Sequence, residues 1–113
     1  MLETSMDVEP RDGALEFQVR VTNRGDTDEE LSFSDSQRVR VTVYGTENDN
    51  DEPHWRSDED QMFMQMLGSE TVPAGEEILF QEEWNEADAG EYRAVGEVVC
   101  RDCDLRAETA FSV

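Results

Sequence analysis

Once its carboxylates are set aside, the sequence carries few side chains able to do chemistry. Cys100-Arg101-Asp102-Cys103 has the C-x-x-C spacing of redox dithiols and of half a zinc site. A redox dithiol needs its first cysteine at a helix N-terminus, where the dipole lowers the thiol pKa, and here the pair falls where two strands meet in a hairpin. Zinc would need two further ligands, and His54 is the sole histidine. A local hairpin disulfide or two idle thiols is therefore expected, with no metal and no cofactor. His54 lies between an acidic loop and Trp55, without a nucleophile elbow or similar motif, and reads as a strand-edge residue rather than a catalytic base. Thr46 to Pro53, T-E-N-D-N-D-E-P, invites a calcium reading. An EF-hand loop counted from Asp49 puts Pro53 at its fifth position, so the pattern fails and a solvated loop is the better account. The 29 aspartates and glutamates are spread over every segment, and no pair of them stands out as a general acid and base. The chain is not expected to be an enzyme.

The charge bounds the partners. The net charge is −20, and all nine basic residues are arginine. Acidity distributed in this way suggests a halophilic cytosol, because in molar salt the Debye length falls to about 3 Å and self-repulsion is screened. A phosphate backbone or an anionic bilayer would be repelled, so neither nucleic acid nor membrane is an expected partner. No basic start followed by an apolar run is present, and no apolar stretch approaches the roughly 20 residues of a membrane helix. A cytoplasmic, monomeric protein is expected, with another protein as its partner.

The elements that must position any functional loop are short strands. The 113 residues suit one domain, 1–113, with a single two-layer core. Met1 to Pro10 alternates weakly, with Met6 and Val8 on one side, and reads as an edge strand ended by proline. Leu15, Phe17, Val19 and Val21 alternate with polar residues as a half-buried antiparallel strand. Leu31 and Phe33 follow, then Val39, Val41 and Val43 with Arg38, Arg40, Thr42 and Tyr44 facing out. Ile78, Phe80 and Trp84 share a face that Glu82 interrupts. Asp88-Ala89-Gly90-Glu91-Tyr92 resembles the tyrosine corner of immunoglobulin-like sandwiches, and the last strand is expected to place Leu105, Ala107, Thr109, Phe111 and Val113 together.

Trp55 to Glu76 breaks this rhythm. Ser57 is a good N-cap, Asp58, Glu59 and Asp60 suit the positive end of a helix dipole, and Phe63 with Leu67 and Met62 with Met66 are four apart. A turn or two of helix is expected here, laying Phe63 and Leu67 on the core and ending at Gly68. Pro73-Ala74-Gly75 is a turn with proline at its second position and glycine at its fourth. The fold expected is an all-β, immunoglobulin-like antiparallel β-sandwich with one short helical insertion.

Trp55, Ser57, Phe63, Gln65, Leu67 and Pro73-Ala74-Gly75-Glu76, preceded by Phe33-Ser34-Asp35-Ser36-Gln37-Arg38, resemble the BsuPI family of intracellular proteinase inhibitors. The likeness covers roughly Leu15 to Val113. Ser36 departs from it, because the family usually has glycine there. The resemblance implies an immunoglobulin-like sandwich and the binding of a protease, such as a subtilisin-like serine protease. Occlusion of a protease cleft needs a rigid exposed loop that fills it in extended form and places one side chain in a specificity pocket. Two segments qualify: Ser34, Asp35, Ser36 and Gln37, and Met62, Phe63, Met64 and Gln65, whose methionines suit an apolar pocket. The other reading is a non-inhibitory immunoglobulin-like interaction module that meets its partner through a strand edge.

Overall fold

The computed structural model describes residues 1–45, 53–59, 61–85, 87–101 and 103–113. Nine strands form in the order β1 (Leu2–Arg11), β2 (Ala14–Asn23), β3 (Glu29–Phe33), β4 (Val39–Gly45), β5 (Trp55–Arg56), β6 (Gly68–Val72), β7 (Glu77–Asn85), β8 (Glu91–Val98) and β9 (Leu105–Ser112). They pair as a β1-β2-β7 sheet, a β3-β6 pair and a β5-β4-β8-β9 sheet, every pairing antiparallel. The result is an antiparallel β-sandwich, consistent with the immunoglobulin-like architecture expected.

The core forms where the alternations meet. Phe17, Val19 and Val21 of β2 face Val41 and Val43 of β4, and all five are fully buried. The two sheets approach so closely at β8 that a Cβ on Gly96 would lie 2.8 Å from the Met6 sulfur and 2.9 Å from Val19 Cγ2, so any larger residue would force these side chains to shift. An aromatic cluster closes one end. Trp55 stacks on Trp84 at 5.5 Å between ring centroids, Trp84 meets Tyr92 edge-on at 5.3 Å, and Tyr92 stacks on Phe111 at 5.5 Å. The tyrosine corner is present: Tyr92 Oη donates to the Asp88 carbonyl at 2.8 Å. β1 is an edge strand as expected, although it runs through Pro10 to Arg11.

Asn23 ties the opposite region together. Fully buried, it donates from Nδ2 to the carbonyls of Thr27 (2.8 Å) and Val72 (2.9 Å), while its Oδ1 accepts the Gly25 N–H at 2.9 Å. Its own N–H reaches the Glu76 carbonyl and its carbonyl accepts from Gly75. The adjoining turn lies one residue later than expected. Glu76 N–H donates to the Pro73 carbonyl at 3.0 Å, so Gly75 occupies the third position with φ +75°, where a positive φ requires glycine.

The helical insertion does not form, and no helix is present among the described residues. Ser57, its expected N-cap, is spent elsewhere: its N–H donates to the Val41 carbonyl at 2.9 Å and its Oγ accepts the Val41 N–H at 2.8 Å, so it prolongs the β4–β5 pairing. Asp58 is drawn to arginines rather than to backbone amides. With its capping groups taken, a stretch this short before Gly68 cannot repay the cost of helix nucleation. Residues 61–67 instead cross from β5 to β6 without regular structure. Thr42 is a second departure: it occupies an outward register position but is buried. Residues 46–52 of the acidic loop lie outside the described residues.

Candidate functional site

The sandwich brings the two predicted segments together. Ser36 donates its N–H to the Met64 carbonyl at 2.9 Å, and its Oγ accepts the Met64 N–H at 2.8 Å. Met66 N–H donates to the same Met64 carbonyl at 2.9 Å, closing a tight bend around Gln65. Residues 61–67 thus form an arch pinned at its middle to the β3–β4 turn. Serine suits position 36, where the resemblance anticipated glycine, because Asp12 is the sole non-glycine residue with positive φ among those described. Ser36 therefore carries no backbone strain, and its hydroxyl becomes the arch's anchor.

The arch presents methionine to solvent. Met62 is 98% exposed, Met64 64% and Met66 58%, with Leu67 at 73%. Leu67 and Phe63 were both expected on the core; without a helix nothing turns Leu67 inward, and Phe63 is partly buried but is not part of the core cluster. Three exposed, flexible thioethers within five residues are of the kind used by adaptable binding surfaces.

The base of the β3–β4 turn is braced from several directions. Asp35 Oδ1 accepts the Gln37 N–H at 2.9 Å, a side-chain turn that fixes Ser34 to Gln37. Arg38 donates from Nη1 to the Asp35 carbonyl at 2.9 Å, pairs through Nε with Glu70 at 3.1 Å, and lies 4.3 Å over the Phe33 ring. Gly68 makes room for it, since a Cβ there would lie 2.7 Å from Arg38 Nη2. Gln37, predicted as a contact, is buried, with its amide directed toward Val39 O and Asp58. Its side chain is turned into the protein, while Ser34 and Ser36 on the same turn are exposed.

Sequence reasoning missed Asp58 as the hub of this region. Its carboxylate takes Arg40 Nε at 2.7 Å, Arg56 through Nε and Nη2 at 3.0 Å each, and the Gln37 amide at 3.4 Å. Burial alone would push the Asp58 carboxyl up, but hydrogen bonds from Arg56 and Arg40, the Arg40 charge and the Gln37 amide outweigh it and hold the pKa at about 2. The β4–β5 register places Thr42 opposite Arg56, which puts Arg40 and Arg56 on one face. No spacing in the sequence signals that neighbourhood. Nearby, burial pushes the Glu82 carboxyl up, a bond from Gln61 opposes the rise and the Asp58 charge adds to it. Gln61 also donates to the Ser57 carbonyl, which roots the start of the arch.

The other chemistry-bearing residues are placed elsewhere. His54 is exposed and lies against the aromatic cluster, 5.3 Å from Tyr92 and 5.6 Å from Trp84 between ring centroids, with its N–H bonded to the Val43 carbonyl. Cys100 and Cys103 form a disulfide with Cα atoms 5.7 Å apart, one of the two outcomes expected of the hairpin. Among the described residues, no three His, Cys, Asp or Glu side chains converge as metal ligands, and no helix is long and apolar enough to cross a membrane.

Comparison with known proteins fits this geometry. Solved structures share the fold: a β-glucosidase from Kluyveromyces marxianus (TM-score 0.55, 18% identity, covering 100% of this chain and 14% of that one); the β-glucosidase EmGH1 from Erythrobacter marinus (TM-score 0.53, 14% identity, 99% and 15%); and the sporulation control protein Spo0M from Bacillus subtilis (TM-score 0.51, 14% identity, 99% and 48%). The chain spans a small part of the glucosidases and about half of Spo0M, and at these identities the likeness is one of fold alone. Comparison with curated proteins gives no match. The family model for BsuPI, intracellular proteinase inhibitor, matches residues 2–103 and so takes in both the turn and the arch. That match covers nearly the whole chain, and the protein belongs to the BsuPI family of intracellular proteinase inhibitors.

Proposed function

We propose that this protein inhibits a subtilisin-like serine protease by occlusion, without covalent chemistry, as an intracellular monomer working at high salt. The observation that carries this reading is the reciprocal Ser36–Met64 pair, which joins the two predicted contact segments into one braced surface and leaves three methionines exposed on it. A braced loop loses little conformational freedom on binding, and apolar side chains at the centre of a small patch supply most of the affinity. The net charge of −20 with arginine as the sole basic residue supports a high-salt setting, in which affinity comes from shape and apolar burial rather than steering.

Within the patch the roles of the methionines differ. A residue bound like a substrate must offer its own carbonyl and N–H to the protease, and the turn already takes both from Met64. Met62 bonds neither backbone group to another described residue and is the most exposed side chain of the arch. Met62 therefore enters the specificity pocket, Met64 and Met66 widen the apolar contact, Ser34 to Ser36 flank it, and Gln37 holds the turn from within.

The test is a titration of a salt-tolerant subtilisin-type protease with this protein in roughly 2 to 3 M KCl, following residual activity on a small peptide substrate together with the inhibitor's intact mass. Stoichiometric loss of activity with the chain uncut is expected, weakened about 100-fold by Met62→Asp and less by Met64→Ala. Unchanged activity in the presence of the folded protein would refute inhibition of this protease class and leave the strand-edge interaction module.

A further inference from the structure

The C-x-x-C disulfide lies on the feet of the β3–β4 turn. The connection from β8 back to β9 makes two backbone bonds beside the turn, one continuing the β4–β8 ladder and one reaching across to β3. Val99 N–H donates to the Arg38 carbonyl at 3.0 Å, and Arg101 N–H donates to the Ser32 carbonyl at 2.6 Å. Ser32 is the penultimate residue of β3 and Arg38 immediately precedes β4, so their carbonyls stand near the two feet of the turn. The two donors flank Cys100, and the Cys100–Cys103 bond closes the short loop that carries Arg101. From Arg38 the bracing continues to Asp35, Phe33 and Glu70. Cys103 also lines a surface cleft along β3 with Leu2, Glu29, Leu31, Ser32 and Arg101, and both cysteines are partly exposed.

We propose that Cys100–Cys103 is a thiol-exchange site whose oxidised form clamps the Ser32–Arg38 turn and whose reduced form releases it. In the exchange, a thiolate of a small dithiol attacks one sulfur of the pair, the protein S–S bond breaks, and the second reductant thiol displaces the mixed disulfide. The reductant leaves as a disulfide, and its two electrons and two protons end on Cys100 and Cys103 as thiols. Reduction frees the loop around Arg101, so its N–H is no longer held against Ser32 and the turn loosens at its β3 foot, while the Val99–Arg38 bond, which continues the β4–β8 ladder, and the core strands β2 and β8 keep their bonds. The consequence for inhibition rests on the protease-binding reading above; the clamp itself does not.

The experiment compares three samples by native-state hydrogen exchange: the air-oxidised protein, the same protein in dithiothreitol, a neutral dithiol that the acidic surface does not repel, and the Cys100→Ser, Cys103→Ser double variant. The two bond-free samples are expected to exchange the Ser36 and Gln37 amides about tenfold faster than the oxidised protein, with β2 and β8 unchanged. Equal exchange at Ser36 and Gln37 in all three overturns the clamp. So does uniform acceleration through β2 and β8, which would make the bond a general stabiliser, or an intact mass showing two free thiols after air oxidation. Inhibition measured on the same samples separates the two readings: a loosened turn with inhibition undiminished retains the clamp and removes the turn from the protease contact.

Discussion

Ser36 holds Met64 by both of that residue's backbone groups, its N–H giving one bond at 2.9 Å and its Oγ accepting the other at 2.8 Å. One serine thus converts an irregular, solvent-exposed crossing into a fixed arch. Ser36→Ala keeps the backbone bond and loses the hydroxyl. The expected global cost is about 1 kcal/mol, since the freed Met64 N–H can turn to water. Local opening should respond more. Limited proteolysis at residues 61–67 by a non-target protease should accelerate several-fold, and an unchanged cleavage rate would show that the hydroxyl does not restrain the arch.

Asp58 and Glu82 impart opposite pH dependences. Asp58 has a folded pKa depressed from 3.8 to about 2, so its contribution is present above the unfolded value and is lost as pH falls through the folded one. Discounted for the partial exposure of Arg40 and Arg56, that contribution is about 1 to 2 kcal/mol, and Asp58→Asn should lose it at pH 7. Glu82 has a folded pKa raised above 4.5, so the fold loses stability as pH rises through the raised value. Glu82→Gln should therefore be more stable than the parent at neutral pH and lose that advantage in acid. Urea unfolding midpoints between pH 2 and 8 check both signs.

Asn23 should be the most sensitive polar position. Its side chain is fully buried and makes three bonds to the backbone of residues 25, 27 and 72. Asn23→Leu would leave those groups without partners at a cost of about 3 to 4 kcal/mol. Asn23→Asp keeps the acceptor for Gly25 but turns a carboxylate toward the Thr27 and Val72 carbonyls, so it should not rescue. A melting temperature within a few degrees of the parent for either variant would contradict this account.

Salt should act on the whole molecule. With 29 acidic against nine basic residues, unfolding lets like charges separate, and screening removes that incentive. The melting temperature should rise steeply as KCl goes from about 0.1 M to 1 M, where the Debye length shrinks from about 10 to about 3 Å, and change more slowly beyond. A rise that is equally steep with sulfate and absent with chloride would assign the effect to strengthened apolar burial instead.

The strands, their inward faces and several turns were legible in the sequence because they depend on local period and local chemistry. Leu15, Phe17, Val19 and Val21 alternate whatever they pair with, and Tyr92 sits at a fixed offset from the backbone it bonds. The candidate segments were legible too, as polar or methionine-rich interruptions of that period. What the sequence alone could not determine is anything set by a partner distant along the chain. Ser57 has the chemistry of a helix cap, and the tertiary structure spends it on Val41; Asp58 suits a helix dipole, and the β4–β5 register gives it to Arg40 and Arg56 instead. Gly68 looks like a helix stop and instead begins β6, beside the Arg38 guanidinium. Local preference is worth a few tenths of a kcal/mol to about 1 kcal/mol per residue, whereas a buried bond or charge pair left unmade costs more, and so the long-range partner prevails wherever the two compete. The joining of Ser36 to Met64, twenty-eight positions apart, belongs to that second class: residue types announced each loop, and the packing of the two sheets made them one surface.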